Sequence, residues 1–319
     1  MTTNNSDILI IGAGMAGLSC ASLLTQKGLK VCVLDKGRGP GGRMAARRAE
    51  IAGETVSFDH GAQYFTARDA GFRRVVAYWE EQGVVARWLA AGEDAWIGVP
   101  GMNGPIRAMG LETDVRWATR ALALSRSEEG WNVNAGEESF TAEHVLVAVP
   151  AEQAAELLSD VAPKLAIYPA AVRSEPCWAV MAAFAEKLDI DAVCLRTPEA
   201  AITWAARNSA KPGRTGKECW VLHASPDRSR EIIDLSKEEA GTVLLADFFE
   251  QIGVAPREPI HMAAHRWLFA MPVSLKGEPA YFDAELGIGI AGDYLHSPRV
   301  EGAFVSGRAL AELVLAARS

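Results

Sequence analysis

Three patterns of apolar positions follow one another at the start of the chain. DILII, at 7–11, is a short unbroken run, the mark of a parallel strand buried on both faces. It leads into Gly12-Ala13-Gly14-Met15-Ala16-Gly17 and then LSCASLLTQKG, whose apolar residues recur at helical spacing until Gly28. LKVCVLD is a second buried run that ends on Asp35, so the spacing predicts a β-α-β unit. Phe72, Val75, Val76 and Trp79 then recur at helical spacing between Ala70 and Gln82.

The middle of the chain changes period. TRALALSR, GWNVNAG and ESFTAE read as short strands joined by tight turns, the first turn carrying Glu129 and Gly130. HVLVAVP is another apolar run, with Pro150 at a helix start. Longer strands follow in CWAVMAAFAE, AITWAARN, CWVLHAS and IHMAAHRWLF. One helix, SKEEAGTVLLADFFEQIG, interrupts them, entered through a capping box of Ser236 and Glu239. GIGIAGD and VEGAFVSGRALAELVLAA close the chain as a strand, a loop and an amphipathic helix. The fold class is therefore α/β: a discontinuous Rossmann-like domain over 1–68, 98–170 and 270–319, with a second, largely antiparallel domain over 69–97 and 171–269.

Composition narrows the chemistry. With 319 residues the chain is long enough for two packed domains. A net charge of −8 argues against a dedicated nucleic-acid partner, because such binding depends on neutralising phosphates. No stretch approaches the length of apolar chain that a membrane span requires, and the N-terminus lacks a signal-peptide pattern. The five cysteines are scattered without metal spacing, so no metal site is expected and a reduced, cytoplasmic protein is. Oligomeric state is not legible.

Gly12, Gly14 and Gly17, between a strand and a helix, form a dinucleotide fingerprint: a tight turn, close approach of backbone to pyrophosphate, and close helix–strand packing. Ala13, Met15 and Ala16 supply the remaining backbone of that turn, and the helix amino terminus offers N–H groups to phosphate. Asp35 ends the second strand, where a carboxylate accepts hydrogen bonds from ribose hydroxyls. The basic, glycine-rich loop after it, with Lys36, Arg38, Gly42 and Arg43, suits the second phosphate and ribityl chain of FAD. Arg43 has two open readings, a phosphate oxygen or its own domain. At the other end, Gly292 and Asp293 follow a strand. The helix beginning Val300-Glu301-Gly302-Ala303 would aim its amino terminus at the flavin, with Gly302 allowing close approach of a ligand.

The chain resembles the FAD-dependent amine oxidase superfamily and, within it, the bacterial renalase family. The resemblance runs over nearly the whole chain and rests on GAGMAGLSCA, DKGRGPGGRM, DHGAQYFTARD, WAARNSAKP, WVLHAS, AHRW and AGDY with VEGAFVSG. It implies non-covalent FAD, since no cysteine follows Cys219. It implies cofactor contacts from His60, Gly61, Ala62 and Gln63, His60 ordering the cofactor loop. The implied activity is oxidation of the 1,2- and 1,6-dihydro isomers of NAD(P) to NAD(P)⁺ by hydride transfer to flavin N5, with O₂ reduced to H₂O₂. The implied substrate contacts are Tyr64, Asn208, His223 and Trp267: Tyr64 or Trp267 against the nicotinamide ring, Asn208 and His223 on its carboxamide. Two alternatives stand beside it, a flavin-containing amine oxidase and a flavin- or NAD-binding regulatory protein without turnover.

Overall fold

Alternation along the first strand, Asn4–Ile11, decides how the layers stack. In a computed structural model that describes residues 4–128, 130–214, 216 and 218–318, Ile8 and Ile10 face one side of a sheet, and Leu9 and Ile11 the other. All four are buried, each burial contributing about 1.5–3 kcal/mol. Glu129, expected in the first turn of the meander, lies outside the described residues.

The strands of this sheet run in the order Asp114–Arg116, Val31–Leu34, Asn4–Ile11, Ser139–Val147, Ile288–Ala291 and Ala280–Asp283, with the first five parallel. The strand Ser139–Val147 is continuous where the sequence pattern suggests two pieces. Its first half pairs antiparallel with Gly130–Asn134, and its second half pairs parallel with Ile288–Ala291. On one face the helix Met15–Gln26 packs against the carboxy-terminal helix Val300–Arg318, whose second turn lies against Ala16 and Ser19. The helices Ala151–Leu158 and Pro163–Ala170 cover the other face.

A five-stranded antiparallel sheet runs in the order Cys194–Arg196, Ile202–Arg207, Glu218–Ala224, Ser174–Phe184 and His261–Pro272. Trp178, Val180, Trp220 and Leu222 point from one face to Leu244 and Phe248 on the helix Lys237–Ile252, whose expected capping box is present. From the opposite face Met181, Cys219 and Val221 meet Val56 and Phe58 of the hairpin Ala46–Asp59. This hairpin carries the chain from the glycine-rich loop to residues 59–65, beneath the second sheet. Among the described residues no helix is long and apolar enough to cross a membrane.

The two helices on the first face touch at backbone distance. A Cβ on Gly307 would lie 2.0 Å from the Ala16 carbonyl oxygen, and Ser19 Oγ donates to the Phe304 carbonyl at 3.0 Å. Replacing Gly307 by alanine is expected to push the helices apart and cost about 1–3 kcal/mol despite the gain in helix propensity. Urea denaturation checks this: the midpoint should fall with an unchanged slope.

Candidate active site

The first βα turn is built for an anion. Gly12 has φ of +108°, a conformation only glycine adopts without strain, and a Cβ there would strike the Ala148 carbonyl at 2.5 Å. The helix that follows has no side-chain cap and no acid in its first turn, which leaves N–H groups and the positive end of the helix dipole for a phosphate. A Cβ on Gly14 would meet nothing within 4 Å, and Gly42, with φ of +53°, faces the Gly14 Cα. Two glycines on opposite loops thus bring their backbones close together, with open space on the side of Gly14 where a Cβ would stand. This cradle fits the pyrophosphate of FAD.

Charged residues around the cradle are already oriented. Asp35 accepts from the backbone N–H groups of Ala13 and Gly37, each at 2.7 Å, so its carboxylate is fixed beside the fingerprint turn. Arg43 makes a two-pronged ion pair with Asp293 at 2.7 and 2.8 Å, the own-domain contact of its two readings. The Arg43 carbonyl accepts from the Ala62 N–H at 2.8 Å, and a Cβ on Gly61 would lie 2.1 Å from it. One residue therefore joins the glycine-rich loop, the segment 60–63 and the loop after the strand Ile288–Ala291. Lys36 instead reaches Gln153 at 2.9 Å, and Arg38 is exposed. Glu301 is turned onto the Arg68 and Asp69 backbone, 2.6 Å from the latter N–H. A Cβ on Gly302 would lie 2.1 Å from the Ser297 carbonyl of its own loop, so the fold itself requires glycine there. Val300 and Ala303 flank it in the first turn of that helix.

Beneath the second sheet the segment 59–64 is pinned by a buried charge. Asp59 has no exposure and accepts from Lys211 at 3.1 Å, Arg214 at 2.5 Å and the Met102 N–H at 2.8 Å. Burial alone would raise its pKa, but Lys211 and Arg214 overcome that and hold it below the usual carboxylate range. Gln63 donates to the carbonyls of Asp59 and Gly61 and accepts from Lys211 at 3.1 Å and Trp204 Nε1 at 3.3 Å. Asn208 is 1% exposed, and both ends of its amide are taken by backbone, donating to the Ser57 carbonyl and accepting from the Asp59 N–H.

The sheet above contributes one transverse row. Trp204 is opposite His223, His223 opposite Ala179, and Ala179 opposite His265, so all four project from the same face. Trp267, one step along, donates to the His60 carbonyl at 2.9 Å and stacks on the His60 ring at 5.2 Å. His223 Nε2 lies 3.3 Å from the same carbonyl. Tyr64 lies under Trp204 with ring centres 5.5 Å apart. His60 is pushed down to about 4 by burial and by neighbouring His265, and His223 to about 4 by burial. Both rings are neutral at pH 7. His60 Nδ1 is buried with no partner among the described residues, a polar atom that a ligand's complementary group would satisfy.

Tyr64, His223 and Trp267 thus come together with His60 and Gln63, as the motifs suggest. Trp204, Lys211 and His265 also belong to the site; they lie inside the runs WAARNSAKP and AHRW, although the resemblance gives them no role there. Strand alternation finds Trp204 and His265 once the pairing partners of His223 are known.

Comparison with known proteins gives two family matches. The profile described as "NAD(P)-binding Rossmann-like domain" matches residues 10–81, and that described as "Flavin containing amine oxidoreductase" matches 86–315. Hydroxyneurosporene desaturase of Rubrivivax gelatinosus is 38% identical over 96 residues, covering 27% of this chain and 18% of its own length. L-amino-acid oxidase of Daboia russelii is 49% identical over 47 residues, covering 15% of this chain and 9% of its own. The chain thus spans less than a fifth of the curated relatives it matches. Among solved structures, a provisionally named protoporphyrinogen oxidase from Exiguobacterium sp. 255-15 superposes with a TM-score of 0.75 at 14% identity, over 99% of this chain and 100% of that one. A cofactor-site variant of putrescine oxidase gives 0.73 at 15% identity, with 99% and 100% coverage.

Two outcomes follow from the geometry. Arg43→Ala leaves Asp293 unpaired and should weaken FAD retention about tenfold with the far-UV spectrum unchanged, measured by equilibrium dialysis. The two histidines are depressed bases, so the unfolded chain takes up protons that the folded one refuses. Stability should therefore be full above the ordinary value of 6.5 and fall as pH drops toward about 4, flattening below. Melting curves across that window should show a shallower slope in His223→Gln.

Proposed function

The chain belongs to the flavin containing amine oxidoreductases, and from that premise we propose that it is a renalase-like, FAD-dependent oxidase of 1,2- and 1,6-dihydro-NAD(P). The products are NAD(P)⁺ and hydrogen peroxide. The observation that supports this reading is the electrical neutrality of the wall formed by Tyr64, Trp204, His223, His60 and Trp267. Both histidines there are uncharged at pH 7, and the buried carboxylate nearby, Asp59, is committed to two cations. A dihydropyridine becomes aromatic on losing hydride, so its oxidation asks for no general base. It asks for a flat surface that holds the donor carbon in place.

When bound, FAD would supply a two-electron acceptor that dioxygen can reoxidise. Gly12 to Gly17, Gly42 and the Arg43–Asp293 pair would hold its diphosphate side, and His60 to Gln63 would line the space for its ring. We take the cofactor as held without a covalent link, which the lack of a cysteine after Cys219 supports. Tyr64 and Trp267 flank the nicotinamide, and His223 takes its carboxamide. Asn208 acts one step away, by fixing the strand that ends at Asp59. The bookkeeping closes: the substrate gives up one hydride, and dioxygen gains that hydrogen, its two electrons and one proton from solvent. The five unpaired cysteines suit a reducing cytoplasm.

A second reading, oxidation of an amine, draws on the tilted aromatic pair of Tyr64 and Trp204. The Arg196 guanidinium lies over both rings and repels a protonated amine. Anaerobic mixing of the oxidised protein with each candidate separates the readings. Either dihydro isomer should bleach the flavin within seconds while amines do nothing. Bleaching by amines alone would transfer the assignment, and an unreduced flavin with every candidate would leave a binding protein without turnover.

A further inference from the structure

Arg196 sits where nothing in the proposed chemistry of the ring requires a charge. It ends the edge strand Cys194–Arg196, directly opposite Trp204 in the neighbouring strand. Its guanidinium carbon is 4.9 Å from the centre of the Tyr64 ring and 5.0 Å from that of Trp204. One amino group donates to the Ala91 carbonyl at 2.9 Å, and no carboxylate lies within ion-pair distance among the described residues. Arg43, Arg207, Arg214 and Arg228 are matched to acids, while others such as Arg47, Arg48 and Arg107 form no ion pair among the described residues. What sets Arg196 apart is its place: exposed, clear of acids, and held over two rings of the site, where its charge is open to a ligand.

We infer that Arg196 is a subsite for the phosphate groups of the dinucleotide substrate, at the outer rim of the aromatic wall. This rests on the dihydronicotinamide reading, since that substrate carries a diphosphate one ribose away from its reacting ring. Two rings and a carbonyl hold the guanidinium plane, so little side-chain freedom is lost when an anion arrives. Its free N–H groups form the fork that suits two phosphate oxygens. The inner cation, Lys211, cannot substitute, because it is buried and spent on Asp59 and Gln63.

ADP-ribose, which keeps the diphosphate and lacks the nicotinamide, isolates this contact. Calorimetry on the FAD-loaded protein should show binding that weakens with salt. Arg196→Gln keeps a donor for the Ala91 carbonyl but no charge, and should weaken it about tenfold, with Arg196→Lys in between. In parallel, the efficiency of flavin reduction by dihydro-NAD relative to an uncharged N-alkyl dihydronicotinamide should fall about tenfold in Arg196→Gln. Equal ADP-ribose affinity in the wild type and Arg196→Gln, or an unchanged ratio, overturns the subsite. If no dihydronicotinamide reduces the wild-type flavin, the substrate reading falls alone, and the ADP-ribose titration still decides whether Arg196 binds phosphate.

Discussion

Asp59 has no access to water, and its charge is met by Lys211, Arg214 and the Met102 N–H. A lone carboxylate at that depth would cost several kcal/mol, so the three donors have to arrive together. They come from two separate stretches of chain, 102 and 211–214, and close on the end of the hairpin that leads into the site. Lys211 then needs Gln63 as a second acceptor, and Gln63 folds back onto the carbonyls of Asp59 and Gly61. The turn that presents His60 and Tyr64 therefore has a single shape, set by electrostatics beneath it. Arg43 performs the matching task on the cofactor side, where its carbonyl meets Ala62 and its side chain meets Asp293.

How much of this is legible in the sequence depends on distance along the chain. The β-α-β unit, the helix Ala70–Glu81 and the capping box at Ser236 follow from neighbours within a few residues, and local chemistry fixes them. The short helices Gly104–Leu111, Pro163–Ala170 and Pro226–Glu231 carry too few turns to announce a period. The row of Trp204, His223, Ala179 and His265 depends on strand register between segments far apart, which no local pattern encodes. His223 and Trp267 are accessible through motif resemblance. Arg196 is not, since one arginine at the edge of a sheet looks like any other until the rings beneath it are placed. Gly302 is legible as a motif glycine, while the Ser297 carbonyl that excludes a side chain there is known only once the loop is placed.

The wall of the site has a consistent chemical character. Rings, neutral imidazoles and backbone carbonyls face inward, while formal charges are either paired beneath the floor or held at the rim. Such a surface discriminates by shape and by stacking at its centre and by charge only at its edge.

The strand Ser139–Val147 has a further consequence, for the order in which the protein can be assembled on the ribosome. Its second half pairs on one side with the first strand of the chain and on the other with Ile288–Ala291. The face of the first helix around Ala16 is covered by a helix that begins at Val300. Asp293, the partner of Arg43, emerges between those two late elements. A nascent chain therefore displays its nucleotide fingerprint long before Asp293 and the helix from Val300 have left the exit tunnel to complete the surroundings of that turn. Prematurely terminated chains would expose an unpaired strand edge and an uncovered helix face, features that quality-control proteases and chaperones engage.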